Sequence, residues 1–177
     1  VIIQNDRIFV LNHQENKQEI LIFSLNGKYL DKISKNGKGE ISFSSIADFD
    51  INPINENVTI LDQKKQQLVI FGEDTNFIES HKINSPAYEI AYGTDDGKVF
   101  SVLHTKPSDD NSNSGHEISI YDENYKLLRI FFSNNNQNYS AQSNKKTLMK
   151  RADKVMYLRE GTNNLYEIDS KKCRNIS

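Results

Sequence analysis

Histidine is a common metal ligand in proteins, and two of the four histidines in this sequence flank one polar segment. His104 and His116 stand on either side of Thr105 to Gly115, so a loop between two strands would bring them close together. A zinc site takes three or four ligands, and neither cysteines nor clustered carboxylates accompany this pair. We therefore predict no cofactor and no metal, and keep a metal-dependent hydrolase or lyase as the alternative function.

Nucleophiles and paired acids do not form a catalytic motif in this sequence. No serine stands in a G-x-S-x-G elbow. The single cysteine, Cys173, falls on an expected outer strand, where burial is the ordinary explanation. Asp48 and Asp50 alternate along one strand, and exposure at a sheet edge explains them without glycosidase chemistry. The residues thus favour a protein that is not an enzyme.

Two loop segments match ligand-binding loops only in part. Gly37 and Gly39 form a G-x-G sequence without the helix and further glycine of a dinucleotide-binding loop. Asp109, Asn111 and Asn113 begin like a calcium loop, but Ile120 stands at the twelfth position, which requires a carboxylate. Both segments are interpreted as polar connections.

The elements that must position these residues repeat along the chain. Residues 58 to 83 contain three short apolar runs separated by polar turns, which indicates antiparallel strands. The residue that closes the middle run recurs as Phe23, Phe71, Tyr121 and Ile168, at spacings of 48, 50 and 47 residues. After each of the first three anchors the next apolar residue follows six positions later, whereas Cys173 comes one place early. The intervening turns are rich in Asn, Asp and Gly, which tolerate positive φ.

A repeat of this length with four strands per unit is typical of β-propeller blades. We predict an all-β fold, a β-propeller of four-stranded antiparallel blades, with about three and a half to four blades in one domain over residues 1–177. The blades are expected at about residues 1–33, 46–83, 87–132 and 147–177, with the first one incomplete. Middle strands such as Leu68 to Phe71 should be covered on both faces. A β-sandwich with coincidental spacing is the alternative fold.

Composition and charge restrict the possible partners. The chain has 177 residues and a net charge of −2, with a pI near 6.1, so we expect no nucleic-acid partner. No apolar run approaches the roughly 18 residues that a membrane span needs. The sequence begins at Val1 without Met, and we expect that an upstream segment was removed.

The stretches from 8 to 51 and from 58 to 71 resemble the bacterial six-bladed β-propeller family related to NHL repeats. The family's usual pattern is an aromatic-Asp-x-Asn-Gly-Lys turn, a G-K-G-P-G-E loop and then an alternating strand that ends in Asp, and this sequence is similar in the turn FSLNGK (23 to 28) and the loop GKGE (37 to 40). The similarity is most specific over residues 19 to 62. Ser24 stands where that family often has Asp, and the loop lacks its Pro-Gly, which affects loop shape more than fold.

The resemblance implies an extracytoplasmic bacterial protein of the cell envelope, often a lipoprotein, whose relatives mostly lack an assigned activity. Six blades would need roughly 290 residues. We therefore expect this chain to be a fragment of a longer propeller; a partial record, or two chains that complete a ring, are the alternatives. Open blade edges would associate with other chains.

The predicted function is a non-catalytic binding or scaffold module whose loop rim contacts a protein, peptide or glycan. In a propeller that rim contains the turns between second and third strands and the connections between blades. The candidate ligand-binding residues are His13, Lys35, Lys38, Lys64, Lys65, His104, His116 and Arg159. The basic side chains would make the rim locally positive despite the net charge of −2. A merely solvated rim is the alternative interpretation.

Overall fold

A computed structural model gives the fold of the chain. It describes residues 1–14, 17–34, 43–83, 87–93, 99–104, 116–133, 146–151, 154–159, 162 and 164–176. For residues 99–104, 116, 117 and 133 it describes the backbone alone. Lys35 and Lys38, two of the predicted site residues, lie outside the described residues.

The described residues form four antiparallel sheets, each made of four consecutive strands. Sheet 1 contains β1 (Ile2–Gln4), β2 (Arg7–Gln14), β3 (Lys17–Ser24) and β4 (Tyr29–Ser34). Sheet 2 contains β5 (Asp48–Ile51), β6 (Val58–Asp62), β7 (Gln67–Phe71) and β8 (Phe77–Lys82). Sheet 3 contains β9 (Ala87–Tyr92), β10 (Val99–His104), β11 (His116–Asp122) and β12 (Leu127–Ser133). Sheet 4 contains β13 (Leu148–Arg151), β14 (Lys154–Arg159), β15 (Asn164–Ile168) and β16 (Cys173–Asn175).

The prediction of an all-β chain of antiparallel four-stranded sheets is confirmed. Strand order within every sheet follows the sequence, so each sheet is a meander. The prediction that the first repeat is incomplete was wrong, because Ile2, Ile3 and Gln4 pair with β2 and supply the fourth strand. None of the described residues forms a helix that could cross a membrane.

The six-residue offset after each anchor is a cross-strand pairing. Phe23 lies opposite Tyr29, and Phe71 opposite Phe77, in each case directly after a register shift in the ladder. Tyr121 pairs with Leu127 in the same way. The extra residue is a β-bulge, which bends the strand as it enters the turn. Sheet 4 pairs its anchor with Cys173 without such a shift, which explains why Cys173 comes one place early.

The turns between third and fourth strands also repeat, but not with the expected residue types. Gly27, Thr75 and Tyr125 occupy the same turn position, with φ of 83°, 63° and 60°. Each donates its backbone N–H to the carbonyl three residues earlier. The expectation that Asn, Asp or Gly would take positive φ thus holds only in the first turn. In the other two, the turn geometry places Thr and Tyr in the left-handed region despite their Cβ.

The chain divides into two compact units, unit 1 (Val1–Lys82) and unit 2 (Ile83–Ser177). The core of unit 1 lies between sheets 1 and 2 and includes Phe9, Ile20, Phe49 and Ile60. The core of unit 2 lies between sheets 3 and 4, around residues such as Ile120. The prediction of a single domain stays a prediction.

The sequence pattern predicted the burial of the middle strands but not the burial of Asp50 on a first strand. Strands β6 and β7 are buried along their whole length, as expected for middle strands covered on both faces. Asp50 is also buried, so the prediction that it is solvent-exposed was wrong. It lies on β5, the first strand of sheet 2, which contacts β1 inside unit 1.

Candidate ligand-binding rim

In every sheet the second and third strands pair antiparallel, and the ends at which the chain passes from one to the other form the candidate site in each unit. We call these strand ends, with the turn 63–66 in unit 1, the rim of unit 1 and the rim of unit 2. In unit 1 the last described pairs are Gln14 with Lys17 and Asp62 with Gln67. In unit 2 they are Leu103 with Ile118 and Arg159 with Asn164. Six of the eight residues predicted from the sequence fall at these ends, namely His13, Lys64, Lys65, His104, His116 and Arg159.

Strand pairing shows which rim residues are equivalent. The anchor of each sheet pairs with a second-strand residue: Ile8 with Phe23, Val58 with Phe71, Phe100 with Tyr121, and Val155 with Ile168. Four positions beyond these second-strand residues come Asn12, Asp62, His104 and Arg159. Two predicted site residues, His104 and Arg159, therefore stand where sheet 2 has an aspartate.

Asp62 is a buried carboxylate that fixes the backbone at the rim of unit 1. Its Oδ2 accepts a hydrogen bond from Ser44 N at 2.6 Å, and its Oδ1 accepts one from Ser45 N at 3.2 Å. Both serine hydroxyls donate to it as well, at 3.2 Å. Lys65 N donates to Oδ1 at 3.3 Å from the following turn. The carboxylate thus holds two backbone segments in place, which is a structural role.

The hairpin after Asp62 presents lysine side chains on this fixed backbone. Lys64 N donates to Ser45 Oγ at 3.2 Å, and the Lys64 and Lys65 side chains are exposed. Lys82, at the end of β8, donates from Nζ to the carbonyl of Lys65 at 3.0 Å. We call Lys64, Lys65 and Lys82 the lysine patch. It places three cationic side chains next to one turn.

His13 reaches the same rim through Gln18. Gln18 Nε2 lies 3.2 Å from His13 Nδ1, and Gln18 Oε1 accepts a hydrogen bond from Ile46 N at 2.7 Å. Ile46 directly follows Ser45, which contacts the lysine patch. The structure therefore brings three predicted site residues, His13, Lys64 and Lys65, to the rim of unit 1.

Glu19 is a second buried carboxylate at this rim, and sequence analysis missed it. Lys17 Nζ lies 3.0 Å from its Oε1, and Lys32 Nζ lies 3.4 Å from its Oε2. Asn12 Nδ2 also donates to Oε1, at 3.2 Å. The Lys17 hydrogen bond lowers the pKa of Glu19 below its ordinary value, although burial acts in the opposite direction. Glu19 Oε2 accepts no hydrogen bond from the described residues.

The metal hypothesis concerns His104 and His116 at the rim of unit 2. Strands β10 and β11 pair up to Leu103 and Ile118, so both histidines lie at the same end of this hairpin. Only their backbones are described. The described residues contain no group of three His, Cys, Asp or Glu that could hold a metal ion. The prediction that no metal is bound stays a prediction.

Arg159 packs against an aromatic cluster at the rim of unit 2. Its guanidinium carbon lies 4.7 Å from the centroid of the Phe132 ring, a cation–π distance. Phe132 has a φ of 57°, which is unusual for a bulky residue. Its ring meets Tyr166 edge to face at 4.8 Å and tilts against Tyr157 at 5.7 Å. Arg159 is thus a half-buried side chain with an aromatic partner.

Glu89 is a further buried carboxylate, and it fixes the entry to sheet 4. It accepts hydrogen bonds from Thr147 N at 2.9 Å and Leu148 N at 2.7 Å.

Cys173 lies at the other end of this sheet, where burial first and then Asp169 raise the pKa of its thiol to about 11. The thiol is therefore protonated at neutral pH and is a weak nucleophile.

The fold and the rim define the class of this protein as an all-β chain of antiparallel four-stranded sheets with polar strand ends. Within this class the chain belongs to the family described as "Domain of unknown function (DUF4934)", whose model matches residues 1–175. A comparison with curated proteins gives no match.

Solved structures share the fold at low sequence identity. A "Putative exported protein" of Bacteroides fragilis is 12% identical, with a TM-score of 0.74, and the match covers 99% of this chain and 48% of that one. A functionally unknown protein of Desulfotomaculum acetoxidans is 17% identical, with a TM-score of 0.64 and coverages of 97% and 52%. A protein of unknown function from Bacteroides caccae is 16% identical, with a TM-score of 0.55 and coverages of 90% and 60%. This chain spans about half the length of these neighbours.

Proposed function

We propose that this chain is a non-catalytic binding or scaffold module built as a β-propeller, whose rim contacts an acidic protein, peptide or glycan. The four meander sheets would be its blades. In unit 1 the first strands β1 and β5 contact each other, and in unit 2 β9 and β13 do. Contact between first strands is expected where blades radiate from an axis with their first strands innermost.

The observation that carries the proposal is the lysine patch, whose turn is held in place by hydrogen bonds and lies at the same rim as His13. Asp62 and Ser45 hold the turn that bears Lys64 and Lys65, so the backbone needs little ordering when a ligand binds. The side chains of Lys64 and Lys65 on this turn are exposed. A fixed backbone with exposed charges favours recognition of a ligand that carries carboxylates.

The buried carboxylates support a binding role over a catalytic one. Asp62 accepts hydrogen bonds from backbone and hydroxyl donors, and Glu19 is ion-paired with two lysines. Both groups therefore stabilise the rim, and neither is presented as an acid or base to a substrate. General acid–base catalysis needs a titratable group within reach of the reacting atoms.

The proposed location is the bacterial cell envelope. It is supported by the name of the Bacteroides fragilis neighbour, which refers to export, at 12% identity. A lipid anchor is included in the proposal only because the sequence resembles a β-propeller family whose members are often lipoproteins. Detection of the parent protein in an extracytoplasmic fraction would test this location.

Binding to defined polymers tests the function. Poly-L-glutamate serves as an acidic polypeptide, polygalacturonate as an acidic glycan and dextran as a neutral glycan, each at low salt. We expect one acidic polymer to bind, and Lys64→Glu to weaken that binding at least about threefold. Lys28→Glu is the matched control, because Lys28 is an exposed lysine of a hairpin at the opposite end of sheet 1. Equal losses for both variants, or no binding to either acidic polymer, would contradict the proposal.

A further inference from the structure

One position at the rim of unit 1 carries a glutamate in sheet 1 and a glutamine in sheet 2. Glu19 pairs with Asn12 and Gln67 pairs with Asp62, and both lie four residues before the anchor of their sheet. Both are buried, since Glu19 is 3% exposed and Gln67 is 7% exposed. The two residues differ in charge, so the lysines beside them have different partners.

In sheet 1 the carboxylate at this position pairs with two lysines of its own sheet. Lys17 Nζ lies 3.0 Å from Glu19 Oε1, and Lys32 Nζ lies 3.4 Å from Glu19 Oε2. The two lysine side chains are 56% and 43% exposed, whereas the Glu19 side chain is 4% exposed. Sheet 1 thus contains a glutamate side chain that is bound by two solvent-accessible ammonium groups.

In sheet 2 the lysine beside this position faces a neutral amide. Lys82 lies directly opposite Gln67 on β8, so the two side chains leave the sheet side by side. Lys82 Nζ donates to the carbonyl of Lys65 at 3.0 Å, which uses one of the three N–H groups of an ammonium. Among the residues that the structure describes, no carboxylate forms an ion pair with Lys82 or Lys64.

The carboxylate opposite Gln67 does not take over the role of a lysine partner. Asp62 accepts hydrogen bonds from Ser44 N and Ser45 N and from both serine hydroxyls. None of the described lysine side chains forms an ion pair with it. The charge of Asp62 is therefore bound by neutral donors, and no contact with it neutralises the lysine patch.

We propose that the lysine patch binds an acidic side chain of a polypeptide, which takes the role in sheet 2 that the Glu19 carboxylate has in sheet 1. Charge-assisted hydrogen bonds from the ammonium groups would hold the carboxylate of the ligand. Gln67 determines whether the patch is available, because a glutamate there would pair with Lys82 in place of the ligand. This inference rests on the proposed function and narrows its ligand, since the contact already present in sheet 1 is that of a glutamate side chain with lysines.

The affinity for poly-L-glutamate at low salt tests this role of Gln67. Gln67→Glu should weaken binding at least about threefold, because the new carboxylate would pair with Lys82. Gln67→Met is neutral and similar in length, so its affinity should stay within about twofold of wild type. Gln66→Glu is the matched control, because Gln66 is exposed and the same charge should cost less there. Equal losses for the two glutamate variants, or a loss for Gln67→Met as large as that for Gln67→Glu, would overturn the proposal.

The reciprocal variant in sheet 1 provides a test that does not depend on the stability of Gln67→Glu. Glu19→Gln removes the carboxylate that pairs with Lys17 and Lys32, so sheet 1 would present two lysines beside a neutral amide, as sheet 2 does. Its affinity for poly-L-glutamate at neutral pH should rise about threefold. Glu123→Gln is the control, because it makes the same charge change at an exposed turn residue. An unchanged affinity for Glu19→Gln, or an equal rise for both variants, would overturn the proposal.

The choice of polymer separates this inference from the function on which it rests. Binding of polygalacturonate without binding of poly-L-glutamate would overturn the polypeptide ligand and leave the acidic-ligand function standing. Binding of neither acidic polymer would overturn both.

Discussion

At the residue scale, buried carboxylates stabilise the rim of unit 1. Asp62 and Glu19 do so through different kinds of contact. Asp62 is surrounded by neutral donors from Ser44 and Ser45. Glu19 is held mainly by the ammonium groups of Lys17 and Lys32. An ion pair depends on protonation of the acid, so Glu19 should make the stability of the chain pH-dependent.

Replacing Glu19 by Gln should lower stability at neutral pH and matter less in acid. The pKa of Glu19 is lower in the folded chain than its ordinary value of 4.5, chiefly through the Lys17 hydrogen bond. A lowered pKa adds stability above that ordinary value, and the gain disappears as the pH falls through the folded-state pKa. Urea unfolding of both proteins from pH 7 to pH 3 measures this difference.

We expect the gap in unfolding free energy between wild type and Glu19→Gln to narrow below about pH 4.5. Glu123→Gln is the control, because Glu123 is an exposed carboxylate in a hairpin turn. A gap that stays constant over the whole pH range would show that the ion pairs of Glu19 do not stabilise the fold.

Individual residues of the rim could be predicted from the sequence only where they follow the repeat. His13, Lys64 and Lys65 were predicted at hairpins, and the structure places them at one rim. The hydrogen bonds that Asp62 accepts from Ser44 and Ser45 were not predicted, because they depend on the path of a segment 18 residues away. The packing of Arg159 on Phe132 was also missed, since it requires a positive φ that no residue type signals there.

At the scale of elements, close packing of sheet 3 on sheet 4 depends on the absence of a side chain at Gly93. A Cβ at this position would lie 2.7 Å from Val155 Cγ2 and 3.4 Å from the backbone of Lys154. The first distance is too short for any real contact. Gly93 follows β9 directly, so a larger residue would push β14 away from the end of β9.

Gly93→Ala should therefore lower the unfolding free energy by about 1–3 kcal/mol through overpacking. Val155→Ala removes the clashing methyl group, so Gly93→Ala should cost less in that background, and a double-mutant cycle measures the coupling. Gly72→Ala is the matched control, because its Cβ would meet chiefly the flexible Asp74 carboxylate. Strictly additive effects of the two substitutions would rule out the clash.

The strands themselves were largely predictable, because their pairing is local. The period, the six-residue offset and the early Cys173 all correspond to pairings seen in the ladders. The sequence predicted less about turn residues, where Thr75 and Tyr125 take a conformation that glycine adopts more readily. It also did not predict the burial of Asp50, which depends on β1 and β5 lying side by side.

At the scale of the whole molecule, this chain is a member of the DUF4934 family that spans about half the length of its solved neighbours. The comparisons show its fold and leave its ligand to experiment.

The hydrogen bonds that join one sheet to the entry of the next also bear on the order of folding. Gln18 binds the amide of Ile46, which is 28 residues away, whereas Glu89 binds the amide of Thr147, which is 58 residues away. Doubling a loop adds about 0.6 kcal/mol of closure entropy, or roughly a threefold lower probability of contact. In pulse-labelled hydrogen exchange during refolding, the Ile46 amide should therefore become protected before the Thr147 amide. The reverse order would mean that loop closure does not determine which pair of sheets assembles first.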